Sequence, residues 1–450
     1  MKRGITLLCS ALMLVGVLAG CNSKSNEGGN PNPSPSVSEG ESKGDTIDYK
    51  NNHAEINIFS RSCRGDWERK VLPDLQAEFP NYTFNFVSTC SDNMDIYQAV
   101  TTGIQFDMVY NLSAGELRED LMTTQLAYPM NDYLAKHGID LNDFDEAYLD
   151  SVTIDGQVYM LPTHNLAFVM FYNKDIFERF GVEYPWNGMT WDEAAELAKK
   201  LTRNEQGKQY IGLWYSVPHI LRVNHLSLGF VDPETNTATL NNEGWKLFFE
   251  KLFYNPTREP GLQARAKEKF FQHADFNRDY VIAMYVYTYG WISTHQTSLP
   301  PNWGVVSVPT FEKGGPGVQA YAQYVAMTST SDNKDEVTLI MKYLTSPEYQ
   351  AKKIRQGSVT VLKDKSVQEQ IYADFPELAD KQREIYEAIF YNPLAPSRQY
   401  HQLDEIVIEG AFYDDVIPEI VRGNMDMNTA LVTAEEIANA DLKAEMERIQ

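Results

Sequence analysis

The 450-residue sequence is short of basic residues, of cysteine and of catalytic motifs. Lys and Arg number 39 against 62 Asp and Glu, so the formal net charge is −23. Neutralising nucleic-acid phosphates needs clustered Lys and Arg, so we expect no nucleic-acid partner. The sequence contains no Gly-x-Ser-x-Gly elbow, no His-Glu-x-x-His pair and no phosphate loop, and its eight histidines are scattered.

A calcium loop is also not predicted. Asp275-x-Asn277-x-Asp279 begins like one, but Tyr280 stands where glycine must make the turn, and no glutamate closes the loop at its twelfth position. We therefore expect neither a metal site nor a cofactor.

Long uncharged apolar runs are confined to the amino terminus, so no later segment is predicted to span a bilayer. Lys2 and Arg3 precede an apolar run over residues 5–17, and Leu18-Ala19-Gly20-Cys21 follows it. This pattern predicts a signal peptide over residues 1–20. Residues 21–50 hold mainly Asn, Ser, Gly, Pro and Glu, which cannot bury a core, so they are predicted to form a flexible linker.

The length predicts two domains, because single cores stop growing at about 250 to 300 residues. After the linker, strands are expected over residues 55–60, 82–87 and 106–110, with helices between them. This β-α-β-α-β order predicts a parallel sheet with right-handed crossovers. Ligands sit beyond the carboxyl ends of such strands, so the loops that follow them are candidate ligand contacts.

A second α/β unit is predicted to begin within residues 156–202. Its local signals are a hairpin turn at Asp155-Gly156, a buried strand over 166–172, a short helix over 174–180 stopped by Gly181, and a helix opened by the capping box Thr190-x-x-Glu193.

Specific parts of this order are Tyr172-Asn173-Lys174-Asp175 and Thr190-Trp191-Asp192-Glu193. The order closely resembles that of the family-1 extracellular solute-binding proteins, the sugar-capturing components of ABC importers. The resemblance covers roughly residues 56–449. It implies an α/β, two-lobed periplasmic-binding-protein-like fold of type II, in which each lobe is a mainly parallel sheet flanked by helices. Residues 51–165 and 321–372 would form lobe 1, and residues 166–320 and 373–450 lobe 2. The ligand cleft would lie between the lobes, with a hinge near Asn165 and Tyr321.

The resemblance also implies a function without catalysis. The protein would capture a mono- or oligosaccharide and deliver it, as a monomer, to ABC transporter permease subunits. Leu18-Ala19-Gly20-Cys21 resembles a lipobox, which implies acylation of Cys21 by palmitate and attachment to the outer face of the cell membrane through lipid only. The alternatives are an ordinary signal peptide and, for the function, a cell-surface glycoside hydrolase with a carboxylate pair.

Aromatic residues make up 12% of the chain, with 26 tyrosines and 7 tryptophans. Carbohydrates present apolar faces and hydroxyl edges, which suit aromatic rings beside polar groups. Trp291 is the first candidate for stacking, because it matches the family's Gly-Trp turn. The full set of predicted ligand-binding residues is Arg61, Asp107, Asn111, His164, Trp214, Tyr215, Tyr289, Trp291, Tyr321 and Tyr324.

Of the four cysteines, Cys9 would leave with the signal peptide and Cys21 would carry lipid. The remaining pair, Cys63 and Cys90, follows two strands that are predicted to be neighbours. Neighbouring strands lie about 4.8 Å apart, within reach of a disulfide. We therefore expect a Cys63–Cys90 disulfide on the exported protein, with free thiols as the alternative.

Overall fold

The computed structural model describes residues 52–294, 299–398 and 400–449. The predicted signal peptide, the linker and the lipidation site at Cys21 lie outside these residues.

The strands, in chain order, are β1 (Ala54–Ser60), β2 (Tyr82–Ser88), β3 (Met108–Leu112), β4 (Thr153–Ile154), β5 (Gln157–Val158), β6 (Leu161–Asn165), β7 (Phe168–Asn173), β8 (Arg203–Glu205), β9 (Lys208–Tyr215), β10 (Val231–Asp232), β11 (Thr237–Ala238), β12 (Ile282–Thr288), β13 (Trp303–Ser307) and β14 (Ala322–Met327).

The α-helices are Arg64–Lys70, Leu72–Glu78, Thr89–Asp92, Ile96–Thr101, Asn131–His137, Glu146–Leu149, Lys174–Phe180, Trp191–Leu201, Val217–Arg222, Glu243–Phe249, Pro260–Glu268, His273–Asn277, Trp291–Thr294, Lys334–Leu344, Pro347–Arg355, Lys365–Gln368, Gln382–Phe390, Asp404–Ile406, Ile417–Arg422 and Met427–Ile449. Wider π-helical turns occupy Leu117–Met122, Glu250–Tyr254 and Val407–Val416. Short 3₁₀ turns occupy Leu141–Asp143, Asp150–Val152, Pro256–Arg258 and Pro376–Lys381.

Two five-stranded sheets organise the molecule. The first has the order β2-β1-β3-β14-β6 and the second the order β13-β7-β12-β9-β8. In the first sheet β1 pairs in parallel with β2 and β3, whereas β14 is antiparallel to both of its neighbours. In the second sheet only the β12–β9 pair is parallel.

In the first sheet only β14 runs against the other four strands, so that sheet is mainly parallel in direction, as expected. The second sheet is mixed, which corrects the expectation for that sheet. The reason lies in the crossings between the sheets. The chain passes from β6 directly into β7 of the second sheet and returns from β13 into β14 of the first. Strands reached by these direct crossings run antiparallel to their neighbours, since no helical crossover precedes them.

The local signals of the second unit are confirmed. Asp155 and Gly156 take φ angles of 52° and 76° between β4 and β5. Gly181 is left-handed at φ 64°, and the Thr190 and Glu193 side chains form the capping box. The third strand was predicted two residues too early, since Asp107 precedes β3 and accepts a hydrogen bond from the Asn57 N–H at 2.9 Å.

Hydrophobic residues cover both faces of each sheet. Helices Arg64–Lys70 and Lys334–Leu344 pack on one face of the first sheet, and Ile96–Thr101 packs on the other. The carboxyl-terminal helices join the core of the second sheet. That core also includes Ile354 and Val359, which precede the lobe boundary predicted at residue 372.

Across residues 52–294, 299–398 and 400–449, no helix combines the length and the apolar character that a bilayer crossing requires.

Candidate functional site

The ends of the parallel strands in the two sheets face each other across a cleft. Segments that leave β1 and β3 meet segments that leave β9 and β12, and two cavities open between them. Both cavities have the size of small-molecule sites, which is about 300 to 1,000 Å³.

The first, here called the Arg61 cavity, has a volume of about 390 Å³. Its walls come from the β3 exit, the end of helix Val217–Arg222, the return crossing and the segment at residues 400–405. Its lining residues are Arg61, Asn111, Ser113, Ala114, Gly115, Glu116, Glu119, Arg222, Val223, Ala320, Tyr321, Ala322, Gln323, Tyr400, His401, Gln402, Asp404 and Glu405.

The second, here called the His164 cavity, has a volume of about 520 Å³. The first helix, the end of β6 and the β12 exit enclose it. Its lining residues are Ser62, Asp66, Trp67, Lys70, Val71, Tyr110, Asn111, Thr163, His164, Leu166, Tyr289, Gly290, Leu344, Tyr349, Lys353, Gln356, Gly357, Ser358 and Phe375.

Asn111 lies in the walls of both cavities. The register between β14 and β3 shifts there, because Val325 pairs with Tyr110 and Tyr324 pairs with Leu112. Asn111 is the extra residue of this bulge, and its φ is 65°. A bulge re-aims a side chain at the edge of a sheet, and asparagine is one of the few residues that adopt positive φ readily. The bulge thus places a polar side chain where the two cavities meet.

Arg61 lies at the β1 exit among three carboxylates. Its Nη2 is 2.8 Å from Asp120 Oδ2, and its Nε is 3.0 Å from Glu116 Oε1. Glu119 lies farther away, at 3.8 Å. Burial raises the pKa of Glu116 to about 7, although Arg61 favours the ionised form. The cluster is therefore crowded with acid groups that burial makes harder to ionise.

Arg222 faces this cluster from the second sheet. Its guanidinium forms a paired contact with Glu405, with Nε–Oε1 and Nη2–Oε2 distances of 2.9 and 2.7 Å, and a further contact with Glu409. Both arginines of the cavity are thus held by carboxylates of the protein itself.

The His164 cavity is lined by charged residues, Asp66, Lys70 and Lys353, and by neutral polar groups. Burial, with Lys70 and Lys353 nearby, lowers the pKa of His164 to about 4, so the imidazole is neutral at pH 7. Tyr289 is buried, and its hydroxyl accepts a hydrogen bond from the Val359 N–H at 3.0 Å. This bond joins the second sheet to the segment that follows helix Pro347–Arg355.

The structure brings five of the ten predicted residues to the cleft: Arg61, Asn111 and Tyr321 in the Arg61 cavity, and His164 and Tyr289, again with Asn111, in the His164 cavity.

It places the other five elsewhere, and our expectation that they line the cleft is corrected by their packing. Asp107 lies at the amino end of β3, where Ser331 and Asn333 donate to its carboxylate. The other four are core aromatics that line neither cavity: Trp214, Tyr215, Trp291 and Tyr324. Trp291 is 5% exposed and stacks on Tyr285, with ring centroids 5.3 Å apart.

Sequence reasoning missed Glu116, Glu119, Arg222, Tyr400 and Glu405. Arg222 ends the helix that follows β9, so the rule that ligands sit beyond strand ends could have found it. Tyr400 and Glu405 come from a carboxyl-terminal segment that no local pattern links to the cleft.

Cys63 and Cys90 form a disulfide, with Cα atoms 4.8 Å apart. Next to it Arg64 pairs with Asp92 at 3.0 Å. The bond ties the β1 exit to the β2 exit beside the cleft.

Within the part of the chain that the structure describes, no group of three or more His, Cys, Asp or Glu side chains is arranged to hold a metal ion.

One family model, for bacterial extracellular solute-binding proteins, matches residues 64–351. The chain belongs to this family. A solute-binding relative in Halalkalibacterium halodurans, an arabinooligosaccharide-binding protein, is 27% identical over 194 residues, which are 42% of each chain. A protein of Brucella abortus described as a binding protein is 26% identical over 312 residues, which are 64% of this chain and 70% of that one.

Solved structures show the same solute-binding fold. A sugar transporter from Rhizobium etli, solved in an open conformation, matches with a TM-score of 0.70 at 20% identity. The match covers 87% of this chain and 99% of that one. The two-lobed periplasmic-binding-protein-like fold expected from the sequence is thus confirmed.

Proposed function

We propose that this solute-binding protein captures a carbohydrate between its two lobes and delivers it to the permease of an ABC transporter. One observation carries the proposal: two cavities of suitable size lie between the facing strand ends and meet at Asn111. Each is walled by segments from both sheets, so a ligand in either would contact both lobes. The sugar-binding names of the relatives support the choice of carbohydrate.

The chemistry of the walls supports the same class of ligand. The aromatic residues Tyr321 and Tyr400 line the Arg61 cavity, beside carboxylates and amides that accept and donate hydrogen bonds. Sugars need both kinds of contact, since their faces are apolar and their edges carry hydroxyl groups.

A thermal-shift screen over mono- and oligosaccharides tests the proposal. A ligand that binds only the native state raises the free energy of unfolding of the protein. The increase is about 2.7 kcal/mol when the free ligand concentration is a hundred times Kd. We expect at least one sugar of the panel to raise the melting temperature in a dose-dependent way. No shift with any of them would contradict carbohydrate capture.

Hydrolysis is the competing activity, and the carboxylates of the Arg61 cavity are the observation that favours it. A glycosidase needs an acid pair about 5 to 9.5 Å apart around the scissile bond. Here Arg61 bridges Glu116 and Asp120, and the family consists of binding proteins. We expect oligosaccharides incubated with the protein to be recovered intact, and shortened products would establish an enzyme.

The placement outside the cell is part of the proposal. Residues 51–165 with 321–372 would act as one lobe and residues 166–320 with 373–450 as the other, on a monomer held at the membrane by lipid on Cys21. Cys21→Ser should release the protein from the membrane fraction. Retention as firm as that of the wild type would contradict the lipid anchor.

A further inference from the structure

The walls of the Arg61 cavity and the His164 cavity meet at the β1 exit, at the β3 exit and at the crossings between the sheets. The consecutive residues Arg61 and Ser62 line one cavity each, and Asn111 lines both. The backbone N–H of Leu166, in the wall of the His164 cavity, donates a hydrogen bond to the carbonyl oxygen of Tyr321, in the wall of the Arg61 cavity. The two cavities are therefore neighbouring compartments of one cleft.

The space in the cleft exceeds what one sugar ring needs. The Arg61 cavity has a volume of about 390 Å³ and the His164 cavity a volume of about 520 Å³. Each volume alone lies in the range of about 300 to 1,000 Å³ that serves drug-sized ligands, and a single sugar ring is smaller than such ligands. A monosaccharide in one compartment would leave the other compartment to water.

The two compartments also offer different contacts. The Arg61 cavity is lined by charged and amide side chains, which suit the hydroxyl edges of a sugar. The lining of the His164 cavity includes the aromatic residues Trp67, Tyr110 and Tyr349, which suit its apolar faces. A chain of sugar units presents both kinds of surface along its length, so one such chain can match both compartments.

Asn111 lies where a ligand that extends from one compartment into the other would pass. The bulge at β3 gives this residue its φ of 65°, and its side chain is half-buried. A side-chain amide both donates and accepts hydrogen bonds. It can therefore bind hydroxyl groups of sugar units on either side.

We propose that the cleft binds one oligosaccharide, with at least one sugar unit in each compartment, and that it discriminates against monosaccharides. A linked second unit binds intramolecularly, whereas separate rings each lose translational and rotational freedom. The inference rests on the proposed function and narrows its ligand from carbohydrates in general to oligosaccharides.

The test is calorimetry on the mature chain with homologous series of sugars. Glucose, galactose, mannose and arabinose are each titrated from the monosaccharide up to the pentasaccharide. In at least one series we expect the affinity to rise by about tenfold or more from the monosaccharide to a longer member, and then to level off once both compartments are filled. We expect one oligosaccharide to bind per chain.

Two glycines allow each compartment to be filled separately. Gly115 lines the Arg61 cavity and Gly290 lines the His164 cavity. A Cβ added at Gly115 would meet the Tyr400 ring at 3.6 Å, which is an ordinary contact. Among the described residues, a Cβ added at Gly290 would meet only the Thr288 hydroxyl oxygen, at 3.8 Å. Either wall thus has room for a larger side chain.

Gly115→Leu and Gly290→Leu should each weaken the binding of the oligosaccharide by about tenfold, because each takes space from one compartment. A monosaccharide occupies a single compartment, so its affinity should fall in only one of the two variants. Gly229→Leu is the matched control, since Gly229 is exposed, lies outside both cavities and has open space around its Cβ. It should bind every sugar as the wild type does.

Thermal unfolding shows whether each variant is folded. Gly115→Ala and Gly290→Ala add only the Cβ and should give the same pattern with a smaller loss of affinity. These two variants keep the test decisive if a leucine variant does not fold.

Several results would overturn the inference. A monosaccharide that binds as tightly as every longer member of its series removes it and leaves carbohydrate capture standing, as does binding of two oligosaccharides per chain. An oligosaccharide affinity that the substitutions at Gly115 or at Gly290 leave unchanged removes that compartment from the site, and equal losses for monosaccharide and oligosaccharide in both variants indicate a site for one unit. Binding of no sugar in any series removes the proposed function itself, and this inference with it.

Discussion

The backbone N–H of Leu166 donates a hydrogen bond to the carbonyl oxygen of Tyr321 at 2.8 Å. Leu166 lies on the crossing from β6 to β7, and Tyr321 lies on the return crossing just before β14. The two crossings between the sheets are thus joined to each other, and Asn165 is further joined to Val359 at 2.9 Å. We propose these linked crossings as the axis for a rotation of one lobe against the other.

We predict that the lobes close about this axis when a sugar binds. Closure requires a ligand that contacts both lobes, since only a difference in affinity shifts the populations of open and closed forms. Small-angle scattering should show a smaller radius of gyration with saturating sugar. Identical curves with and without the sugar would count against the hinge.

The disulfide should stabilise the first lobe. It closes a loop across a sequence separation of 27, for which chain entropy predicts about 3.5 kcal/mol. Cys63→Ser/Cys90→Ser should lower the free energy of unfolding by that amount. Mass spectrometry after alkylation without reduction should find neither thiol modified, and alkylation of both would show that no bridge forms.

Glu116 should make stability fall as the pH rises from about 4.5 to 7. In this window an unfolded chain has already ionised Glu116, whereas the folded chain, with its pKa raised to about 7, still holds the proton. The folded form therefore binds more protons, and its stability falls with rising pH. The amide side chain in Glu116→Gln cannot ionise, so the stability of this variant does not fall with pH for this reason.

Denaturant unfolding at pH 5 and pH 8 measures the effect. The free energy of unfolding of Glu116→Gln minus that of the wild type should be larger at pH 8 than at pH 5, by on the order of 2 to 3 kcal/mol. The sign of this difference at pH 5 does not matter for the test. A constant difference would mean that the pKa of Glu116 is not raised. Glu436→Gln, on an exposed part of the carboxyl-terminal helix outside both cavities, serves as the control and should show no such change.

Two aromatic substitutions distinguish a residue of the core from a residue of the cleft, because the first should reduce stability and the second sugar affinity. Trp291→Ala removes a buried ring that stacks on Tyr285 and Phe276, so it should cost about 3 to 5 kcal/mol of stability. Tyr321→Ala removes a ring from the wall of the Arg61 cavity and should weaken sugar affinity several-fold. Tyr391→Ala is the matched control, since Tyr391 is 55% exposed and lines neither cavity.

Calorimetry and thermal unfolding on the same three variants check this. Loss of affinity in Trp291→Ala without loss of stability would restore Trp291 as a ligand contact. Loss of affinity in Tyr391→Ala equal to that in Tyr321→Ala would show that the cavity is not the site.

Local features were predictable from the sequence because their causes are local. The Asp155-Gly156 turn, the Gly181 cap and the Thr190 capping box each depend on a few adjacent residues. The direction of the crossing strands was not predictable in this way, since it depends on which sheet receives each strand.

The site was only partly predictable, for two physical reasons. Strand exits pointed to Arg61 and Asn111, but an aromatic side chain at a strand end, such as Trp291, packs into a core as readily as it faces a cleft. The charges of the cavity also come from distant segments. Arg222 and Glu405 are 183 residues apart, and only the folded chain brings them together.

The central claim is that a carbohydrate binds in the cleft between the two sheets. A crystal structure of the protein with a sugar taken from the thermal-shift screen tests it most directly. We predict electron density for the sugar against Asn111 and Tyr321, with contacts to segments of both sheets. A sugar found on an outer surface of either lobe, or one that touches a single sheet only, would contradict the account.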